Sequence, residues 1–274
     1  MAPFIPKRSG VGVVEIFGSI HGGSQAVEQV RLLDIVHKAR HMKALVVDID
    51  SPGGAVSGSE VLYSRLERIA RDKPVVAFVR GMGASGAYYI SCATHQIVAL
   101  PSSLVGSIGV IYLRPAIHDL MKRLGVDVTV YKGGRLKDMT GFWRGPTDEE
   151  SEKFTGLIEE MHQSFIDTVA KCRSMEPQRV RELATGEVFT GRQARDLGLV
   201  DRLGDFDDAL ELAAEMAGVK PKPLWVRPKR GFMERVAGRF GHSMASGLVS
   251  QLEESLPQGL YYKAHWSGFD TWRR

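Results

Sequence analysis

The sequence contains little cysteine and no long hydrophobic run. Only two cysteines, Cys92 and Cys172, occur in 274 residues. That is too few for a disulfide framework, and neither lies in a pattern with metal-ligand spacing. No apolar run approaches the roughly 18 residues that span a bilayer, and the start, "MAPFIPKRSG", lacks the apolar core of a signal peptide. We therefore expect two buried thiols, no metal, and a location in the cytoplasm or at a membrane surface.

The chain also lacks a strong excess of charge of one sign. It has 36 Lys and Arg against 32 Asp and Glu, a net charge of +4, and the two signs are well mixed. A nucleic-acid surface is therefore not indicated. The hydrophobic share of 43% is ordinary for a globular protein. No nucleotide-binding motif is present, so we expect no cofactor.

Strand and helix patterns alternate over the first two thirds of the chain. Short β-branched runs predict strands, and apolar residues at helical spacing predict the helices between them. Such repeated strand-helix-strand units favour an α/β protein with a largely parallel sheet. The predicted strands cover 10–18, 43–50, 74–81, 96–101, 107–112 and 126–133, and the predicted helices cover 24–42, 57–72, a segment from Ser85 and a segment near 115–125.

The remaining part of the domain is predicted to be mainly helical. Thr147 and Glu150 have the spacing of a capping box and begin a long amphipathic helix over 147–174. A short strand, a helix and a further helix follow, and three prolines in "PKPLWVRPK" indicate a change of organisation. We divide the chain into an N-terminal tail (1–9), a catalytic domain (10–219) and a basic C-terminal extension (220–274).

The stretch "VRGMGASGAYYISCA" (79–93) places Ser85 where a strand pattern gives way to a helix pattern. A serine at a helix start is most often an N-cap, whose hydroxyl accepts a hydrogen bond from a backbone N–H. A strand-turn-helix can also expose a serine hydroxyl beside oriented N–H groups, as in the nucleophile elbow. In that second interpretation, the N–H of Gly86 could stabilise an oxyanion.

Two other glycine-rich segments could meet the same cleft. "VDIDSPGGAVSGSE" ends a buried strand at Gly53 and Gly54, whose N–H groups could form an oxyanion hole or merely allow a tight turn. "YKGGRLKDMTG" (131–141), called the lysine loop below, offers the amines of Lys132 and Lys137. Lysines in such loops are usually exposed to solvent.

Five motifs, in order, resemble the Ser/Lys proteases of the signal peptide peptidase A family, peptidase family S49. They are "DIDSPGG", "GMGASGAYYIS", "VGSIGVI", "VYKGGRLKDMTG" and "FTGRQARDLGLVD". The resemblance covers roughly residues 10–219. It implies the ClpP/crotonase fold, repeated β-β-α and βαβ units with a helical C-terminal extension.

The resemblance also implies a role for each matching residue. Ser85 matches the nucleophile, Lys137 the general base, and Ser107 the serine that orients the lysine amine. Gly53, Gly54 and Gly86 match the oxyanion positions, and the sequence does not decide between the first two. Because an exposed lysine is protonated near neutral pH, this chemistry requires the base to be buried in a dry cleft.

The family further implies substrates and an assembly. We expect a serine endopeptidase that cleaves remnant signal peptides or other membrane-released or unfolded peptides, and a ring-like homo-oligomer with inward-facing sites. Leu136 stands where the family usually has an aromatic residue, and Ala87 replaces a common glycine. Phe142 and Trp143 follow the lysine loop, which affects the expected substrate preference more than the catalysis.

Several alternatives compete with a Ser/Lys dyad. His95 is predicted to lie along the helix from Ser85, about 15 Å away by helical rise, and His37, His118 and His162 lie in helix patterns. Asp48 and Asp50 lie in the predicted strand before the Gly53–Gly54 turn, but no motif supplies a partner carboxylate for an acidic dyad.

Two other classes of protein share the fold. A crotonase-type enzyme would bind acyl-CoA with the same oxyanion hole and would not need Ser85. A scaffold without catalysis would tolerate loss of the serine or lysine, yet both are present.

The C-terminal extension has a basic amphipathic pattern. Its cationic residues alternate with apolar ones, which suits either an anionic membrane surface or a neighbouring subunit. The pattern consists of Arg227, Lys229, Arg230, Arg235 and Arg239 beside Phe232, Val236, Phe240, Leu248 and Leu252.

Overall fold

The structure is a computed structural model that describes residues 9–228 and the backbone of 261–263. Its centre is an eight-stranded sheet with the strand order β7-β6-β4-β2-β1-β9, in which β5 pairs with β4 and β8 with β5. All pairs in this sheet are parallel except β6 with β7. The expected α/β architecture is confirmed.

The strands of this sheet have the following bounds. They are β1 (Gly10–Phe17), β2 (Met42–Ser51), β4 (Val75–Ala84), β5 (Gln96–Ala99), β6 (Leu104–Gly106), β7 (Val188–Thr190), β8 (Arg202–Leu203) and β9 (Pro223–Trp225). Two short strands, β3 (Gly53–Ala55) and β10 (Tyr261–Lys263), form a separate antiparallel pair.

Eight helices are assigned in the described residues. They are α1 (Gly23–Lys38), α2 (Val56–Ala70), α3 (Gly86–Ser91), α4 (His118–Arg123), α5 (Asp148–Arg173), α6 (Pro177–Leu183), α7 (Gly191–Asp196) and α8 (Phe206–Met216). The predicted capping box at the start of α5 is formed, since Glu150 N–H donates to Thr147 Oγ1 and Thr147 N–H to Glu150 Oε2.

Strand β2 shows why the sheet is covered on both faces. Leu45, Val47 and Ile49 belong to the core that includes α1, α2, α3 and α5, whereas Ala44 and Val46 belong to the core beneath α8. A strand that is buried on both faces has a nearly continuous run of apolar residues in its sequence, and "KALVVDID" contains such a run. This burial holds the carboxyl end of β2 in a fixed position.

Two predicted strands are wrong. The strand predicted over 107–112 is instead β6, which ends at Gly106 because Gly106 and Ser107 adopt φ values of 99° and 51° that a strand does not accommodate. No strand is assigned over 126–133 in the described chain. Val126, Val128 and Val130 alternate as in a strand, but they lie exposed.

The structure also includes a helix and a strand that the sequence did not indicate. Helix α6 begins with Pro177 at its first turn, and β9 pairs with β1 from Val11 to Val13. The proline-rich segment taken as the end of the domain therefore forms an edge strand, and the sheet continues beyond residue 219. The tail at 1–8 and most of the C-terminal extension lie outside the described residues.

Candidate active site

Three parallel strands end beside one another and carry the predicted site residues. In the strand order β6-β4-β2, Ala84 pairs with Gly106, and Gly83 pairs with Ser51. Ser85 follows the end of β4, Ser107 follows β6, and the Gly53–Gly54 turn follows β2. The carboxyl ends of adjacent strands in an open α/β sheet are the usual place for a ligand site.

Ser85 stands at a sharp turn between β4 and α3. Its backbone has φ 55° and ψ −121°, which is unusual for a residue other than glycine. Its N–H donates to Gly106 O at 2.7 Å, and its C=O accepts from Tyr89 N–H at 2.9 Å. Holding a residue in such a conformation costs about 1–3 kcal/mol, and strained residues of this kind cluster at active sites.

The hydroxyl of Ser85 does not act as a helix cap. The side chain makes no capping hydrogen bond to α3, so the N-cap interpretation is wrong. The residue is only 1% exposed, and within the described part of the chain its Oγ has no hydrogen-bond partner. Since buried polar groups are nearly always hydrogen-bonded, an unpartnered hydroxyl on a strained turn indicates a functional role.

The elements next to Ser85 carry candidate backbone donors. Gly86 is the first residue of α3, and N–H groups in a first helical turn have no partner within their helix. The β3 turn packs against α3. In that turn, Gly53 N–H lies 3.1 Å from Ser51 Oγ. The structure therefore brings Ser85, Gly86 and the Gly53–Gly54 turn together.

Gly54 lies in a place where only glycine fits. A Cβ built on Gly54 would stand 1.9 Å from the carbonyl oxygen of Ile20. That contact arises because Ile20 N–H donates to Gly53 O and Ala55 N–H donates to Ile20 O, each at 2.8 Å. The backbone of Ile20 thus holds the turn in place. A residue with a side chain could replace Gly54 only if the turn or the Ile20 segment moved.

Ser107 follows the end of β6, beside the turn that holds Ser85. It is 7% exposed and adopts φ 51°, and its N–H donates to Glu187 O at 2.7 Å. The preceding residue, Gly106, accepts the hydrogen bond from Ser85 N–H. Two serines in strained conformations therefore adjoin across the ends of β4 and β6.

Lys137 is not brought to this cluster. Its side chain is exposed, and within the described residues its Nζ makes no hydrogen bond or ion pair. The expectation of a buried base is therefore not met within a single copy of the chain. The reason is that the lysine loop and the segment before it lie on the surface, where Tyr131 is 94% exposed.

The loop is nevertheless anchored at one end. Asp138, next to Lys137, accepts hydrogen bonds from Lys132 and from Arg144 Nε, the latter at 3.2 Å. Arg144 also donates to Glu150 Oε2 at 2.8 Å, at the start of α5.

These hydrogen bonds shift the titration of both carboxyl groups. Arg144, assisted by Lys132, lowers the pKa of Asp138 to about 2. Arg144, assisted by Thr147 N–H, lowers the pKa of Glu150 to about 2. Sequence reasoning missed this network, although alternating Lys, Asp, Arg and Glu residues were a visible signal.

A cavity of about 620 Å³ lies against the same network rather than at the serine. Charged residues line most of its wall, and Ser85 is not among them. The lining residues are Lys132, Arg135, Leu136, Arg144, Thr147, Asp148, Glu149 and Glu150.

None of the weighed histidines forms a triad with Ser85. Helix α3 ends at Ser91, so His95 lies beyond it and not along it as predicted, and its Nδ1 lies 3.1 Å from Val75 N. His37 bonds to Asp72 and Arg65. His118 Nε2 lies 3.4 Å from Asp119.

The acidic residues near the oxyanion strand have structural partners. Asp48 is buried and pairs with Arg80 at 2.7 Å. Burial raises its pKa against the opposing effect of Arg80. Asp50 accepts from Met82 N–H at 2.9 Å. Both carboxylates therefore hold β2 to β4.

The two cysteines differ in their surroundings. Cys92 is buried as expected, and burial raises the pKa of its thiol. Cys172 is partly buried, with its Sγ 3.5 Å from the Tyr63 hydroxyl. Among the described residues, no helix has the length and apolar character required to cross a membrane.

Comparisons with known proteins agree with this geometry. The chain is 37% identical over 214 residues to a Synechocystis protein whose name describes it as a protease, a match that covers 78% of this chain and 76% of that protein. It is 32% identical over 203 residues to the chloroplastic serine protease SPPA of Arabidopsis thaliana, covering 74% of this chain and 30% of the relative.

A solved structure shows the same fold. A ClpP1 mutant from Listeria monocytogenes superposes with a TM-score of 0.50 at 17% identity, covering 72% of this chain and 93% of that one. The expected ClpP-like fold is thereby confirmed.

The model of peptidase family S49 matches residues 67–220, which include Ser85, Ser107 and the lysine loop. This match covers more than half of the chain and agrees with the ClpP-like fold and with the strained serine. The chain accordingly belongs to peptidase family S49 and is a serine protease.

Proposed function

We propose that Ser85 and Lys137 form the catalytic dyad of an endopeptidase for unfolded or membrane-released peptides, including remnant signal peptides. In the first step, the Ser85 Oγ–H proton passes to the neutral amine of Lys137 while Oγ bonds to the scissile carbonyl carbon. Lys137 then gives the proton to the leaving amine. Water hydrolyses the resulting acyl-enzyme by the same route.

The observation that carries this proposal is the strained, unpartnered Ser85. A hydroxyl without a hydrogen bond is free to face an incoming base and substrate, and its turn is fixed before substrate arrives. The proposed oxyanion donors are Gly86 N–H, which follows Ser85 in the chain, and an N–H of the Gly53–Gly54 turn, whose strand contacts α3. They would stabilise the developing oxyanion, and one such donor is typically worth about 2.7–4 kcal/mol.

Ser107 is proposed to orient the base. It adjoins Ser85 through the Gly106–Ser85 hydrogen bond, so an amine that reaches Ser85 Oγ also comes close to Ser107. Its hydroxyl would hold the amine in one direction, the task that the aspartate performs in a Ser-His-Asp triad.

The exposed position of Lys137 leads to a proposal about assembly. Apolar side chains are exposed along the segment before the lysine loop, a feature typical of a protein interface. We propose that a homo-oligomer covers this segment and places a Lys137 at each Ser85, where loss of water favours the neutral amine. The exposed residues are Ile111, Leu113, Ile117, Leu120, Leu124, Val126, Val128 and Val130.

Hydrolysis of an unfolded peptide by the full chain tests the dyad. Ser85→Ala and Lys137→Ala should each abolish kcat/KM while the circular dichroism spectrum stays unchanged. An acyl-CoA thioester serves as the competing substrate, because a crotonase-type site would act on it without Ser85. Peptide hydrolysis that survives in Ser85→Ala would overturn the proposal.

A mixture of the two inactive variants tests the assembly. If Lys137 of one copy serves Ser85 of another, mixed oligomers of Ser85→Ala and Lys137→Ala should recover part of the activity. If each copy uses its own lysine, the mixture should stay inactive while gel filtration still shows an oligomer. A wild-type enzyme that is active as a monomer would contradict assembly.

A further inference from the structure

The short strand β10 gives the oxyanion turn a neighbour from the far end of the chain. Its three residues pair antiparallel with β3, with Tyr261 opposite Ala55, Tyr262 opposite Gly54 and Lys263 opposite Gly53. Strand β3 has no other antiparallel partner in the described chain. The chain therefore returns to the turn that follows Ser51.

The backbone of β3 shows which edge β10 occupies. Gly53 C=O and Ala55 N–H are bonded to the backbone of Ile20. In a strand, the N–H and C=O of the residue between them point to the opposite edge. The N–H and C=O of Gly54 therefore face β10, so this pairing fills the free edge of the turn.

That edge lies beside the nucleophile. Strand β10 contacts α3, which begins directly after Ser85, and also α2, which begins directly after β3. An extended peptide that adds to a strand edge is held by main-chain hydrogen bonds, which do not depend on its side chains. This mode of binding suits a protease that accepts many sequences.

We propose that the segment 261–263 is a built-in competitor that occupies the peptide-binding edge of β3 and must leave before a substrate enters. The proposal rests on the proposed function, since it takes this edge as the place where substrate binds. Residues 226–260 connect β9 to β10, and a chain of that length is long enough to reach the turn, at about 3.3 Å per extended residue.

A tethered competitor has a characteristic kinetic effect. Because it belongs to the same chain, its effective concentration is on the order of millimolar. It therefore raises KM for a peptide but leaves kcat unchanged, because saturating substrate displaces it. Removal of residues 259–274 should lower KM about threefold or more at constant kcat.

Substitution of one β10 residue by proline tests the strand pairing more specifically than the truncation does. Tyr262→Pro removes the N–H that faces Gly54 and should lower KM as the truncation does. Tyr262→Phe keeps that N–H and should leave KM at the wild-type value. Unchanged KM in both Tyr262→Pro and the truncated chain would overturn the proposal.

A disulfide cross-link tests the contact without any need for activity. Ala55 and Tyr261 are opposite each other and flank the bonded pair, so their Cα atoms should stand about 4.5 Å apart, within reach of a disulfide. In the Ser85→Ala protein, Ala55→Cys with Tyr261→Cys should form an intramolecular disulfide under mild oxidation. Ala55→Cys with Ser267→Cys, which lies further along the chain, serves as the control.

The outcomes separate the two proposals. A disulfide within one chain together with a protein that hydrolyses no peptide would leave the tail contact standing and refute the proposed function. Activity that depends on Ser85, with no disulfide or only one between two chains, would refute the internal competitor and leave the proposed function intact.

Discussion

The carboxyl end of the sheet and the lysine loop differ in how firmly the single chain holds them. Ser85 and Ser107 are buried and fixed by backbone hydrogen bonds to Gly106 and Glu187. Lys137 is exposed, and only its neighbour Asp138 is anchored. The contrast indicates that the fold positions the proposed nucleophile and oxyanion donors in advance, whereas the proposed base requires a further event.

The largest expected effect comes from the base. Lys137→Arg should lower kcat/KM by about 10⁴-fold or more, since a guanidinium stays protonated and cannot accept the serine proton. The variant should fold normally because the Lys137 side chain is exposed and, within the described residues, its amine makes no hydrogen bond or ion pair. Peptide hydrolysis between pH 5 and pH 10 provides the measurement, and an active Lys137→Arg enzyme would refute the dyad.

A smaller loss is expected at the oxyanion turn. Gly54→Ala places a Cβ 1.9 Å from Ile20 O, so the turn must move and kcat should fall about 10²- to 10³-fold. Gly156→Ala is the matched control, because the added Cβ would meet no atom within 4 Å on helix α5. That variant should keep full activity and gain up to about 1 kcal/mol of unfolding free energy.

Wild-type activity in Gly54→Ala would show that this turn does not stabilise the oxyanion. Equal losses in Gly54→Ala and Gly156→Ala would show a general loss of folding rather than a local effect.

The anchor of the lysine loop should reveal itself in the pH dependence of stability. Arg144→Met leaves the buried carboxylates of Asp138 and Glu150 without their main partner and should lower Tm at pH 7. Because the folded-state pKa values of both groups are about 2, below their unfolded values near 4, this stabilisation is complete above pH 5. It should disappear as the pH falls toward 2.

Arg179→Met is the control for this anchor. Arg179 and Glu182 form an exposed i,i+3 pair at 2.9 Å, and such pairs add little stability. The Tm of this variant should match that of the wild type at each pH. A Tm difference for Arg144→Met that is as large at pH 2 as at pH 7 would show that the effect is not electrostatic.

The smallest effect is expected at Lys132. Its amine is already engaged with Asp138 and with Arg135 O, the latter at 2.9 Å. Lys132→Ala should therefore reduce kcat/KM only a few-fold, through a looser lysine loop. An inactive Lys132→Ala enzyme beside an active Lys137→Ala enzyme would identify Lys132 as the base.

The same two regions show how far the sequence could predict the structure. Strands β1, β2 and β4 were predictable because burial on both faces leaves continuous apolar runs in the sequence. The motif order also grouped Ser85, Ser107 and the Gly53–Gly54 turn, which follow neighbouring strand ends in the structure, although Ser107 was predicted to begin a strand and instead follows β6. Backbone packing alone fixes these positions, so local patterns were sufficient.

The lysine loop and the segment before it were less predictable for a physical reason. The alternation of Val126, Val128 and Val130 indicates which face of a strand would be apolar. A strand also requires a neighbouring strand with which to pair. No partner strand is present in the described chain, so the apolar pattern remains exposed. The proposed burial of Lys137 would depend in the same way on neighbours that its own sequence does not specify.

The edge of the sheet was also harder to predict. The prolines in "PKPLWVRPK" were taken as a domain end, yet Pro223 begins the edge strand β9, a position that tolerates a missing N–H. Arg227 was assigned to the basic face of the extension. It instead pairs with Glu15 at 2.9 Å and lies over the Trp225 ring at 4.9 Å. The other residues of that basic pattern lie outside the described residues, and membrane binding remains a prediction.

In the proposed dyad, the strained Ser85 is the nucleophile and Lys137 activates it. The most direct test is covalent labelling by a fluorophosphonate, with the modified residue mapped by mass spectrometry and the rate followed from pH 5 to pH 10. We predict a single adduct on Ser85, a labelling rate that rises toward alkaline pH, and loss of that rise in Lys137→Arg. An adduct on Ser107, or a rate in Lys137→Arg equal to that of the wild type, would contradict the account.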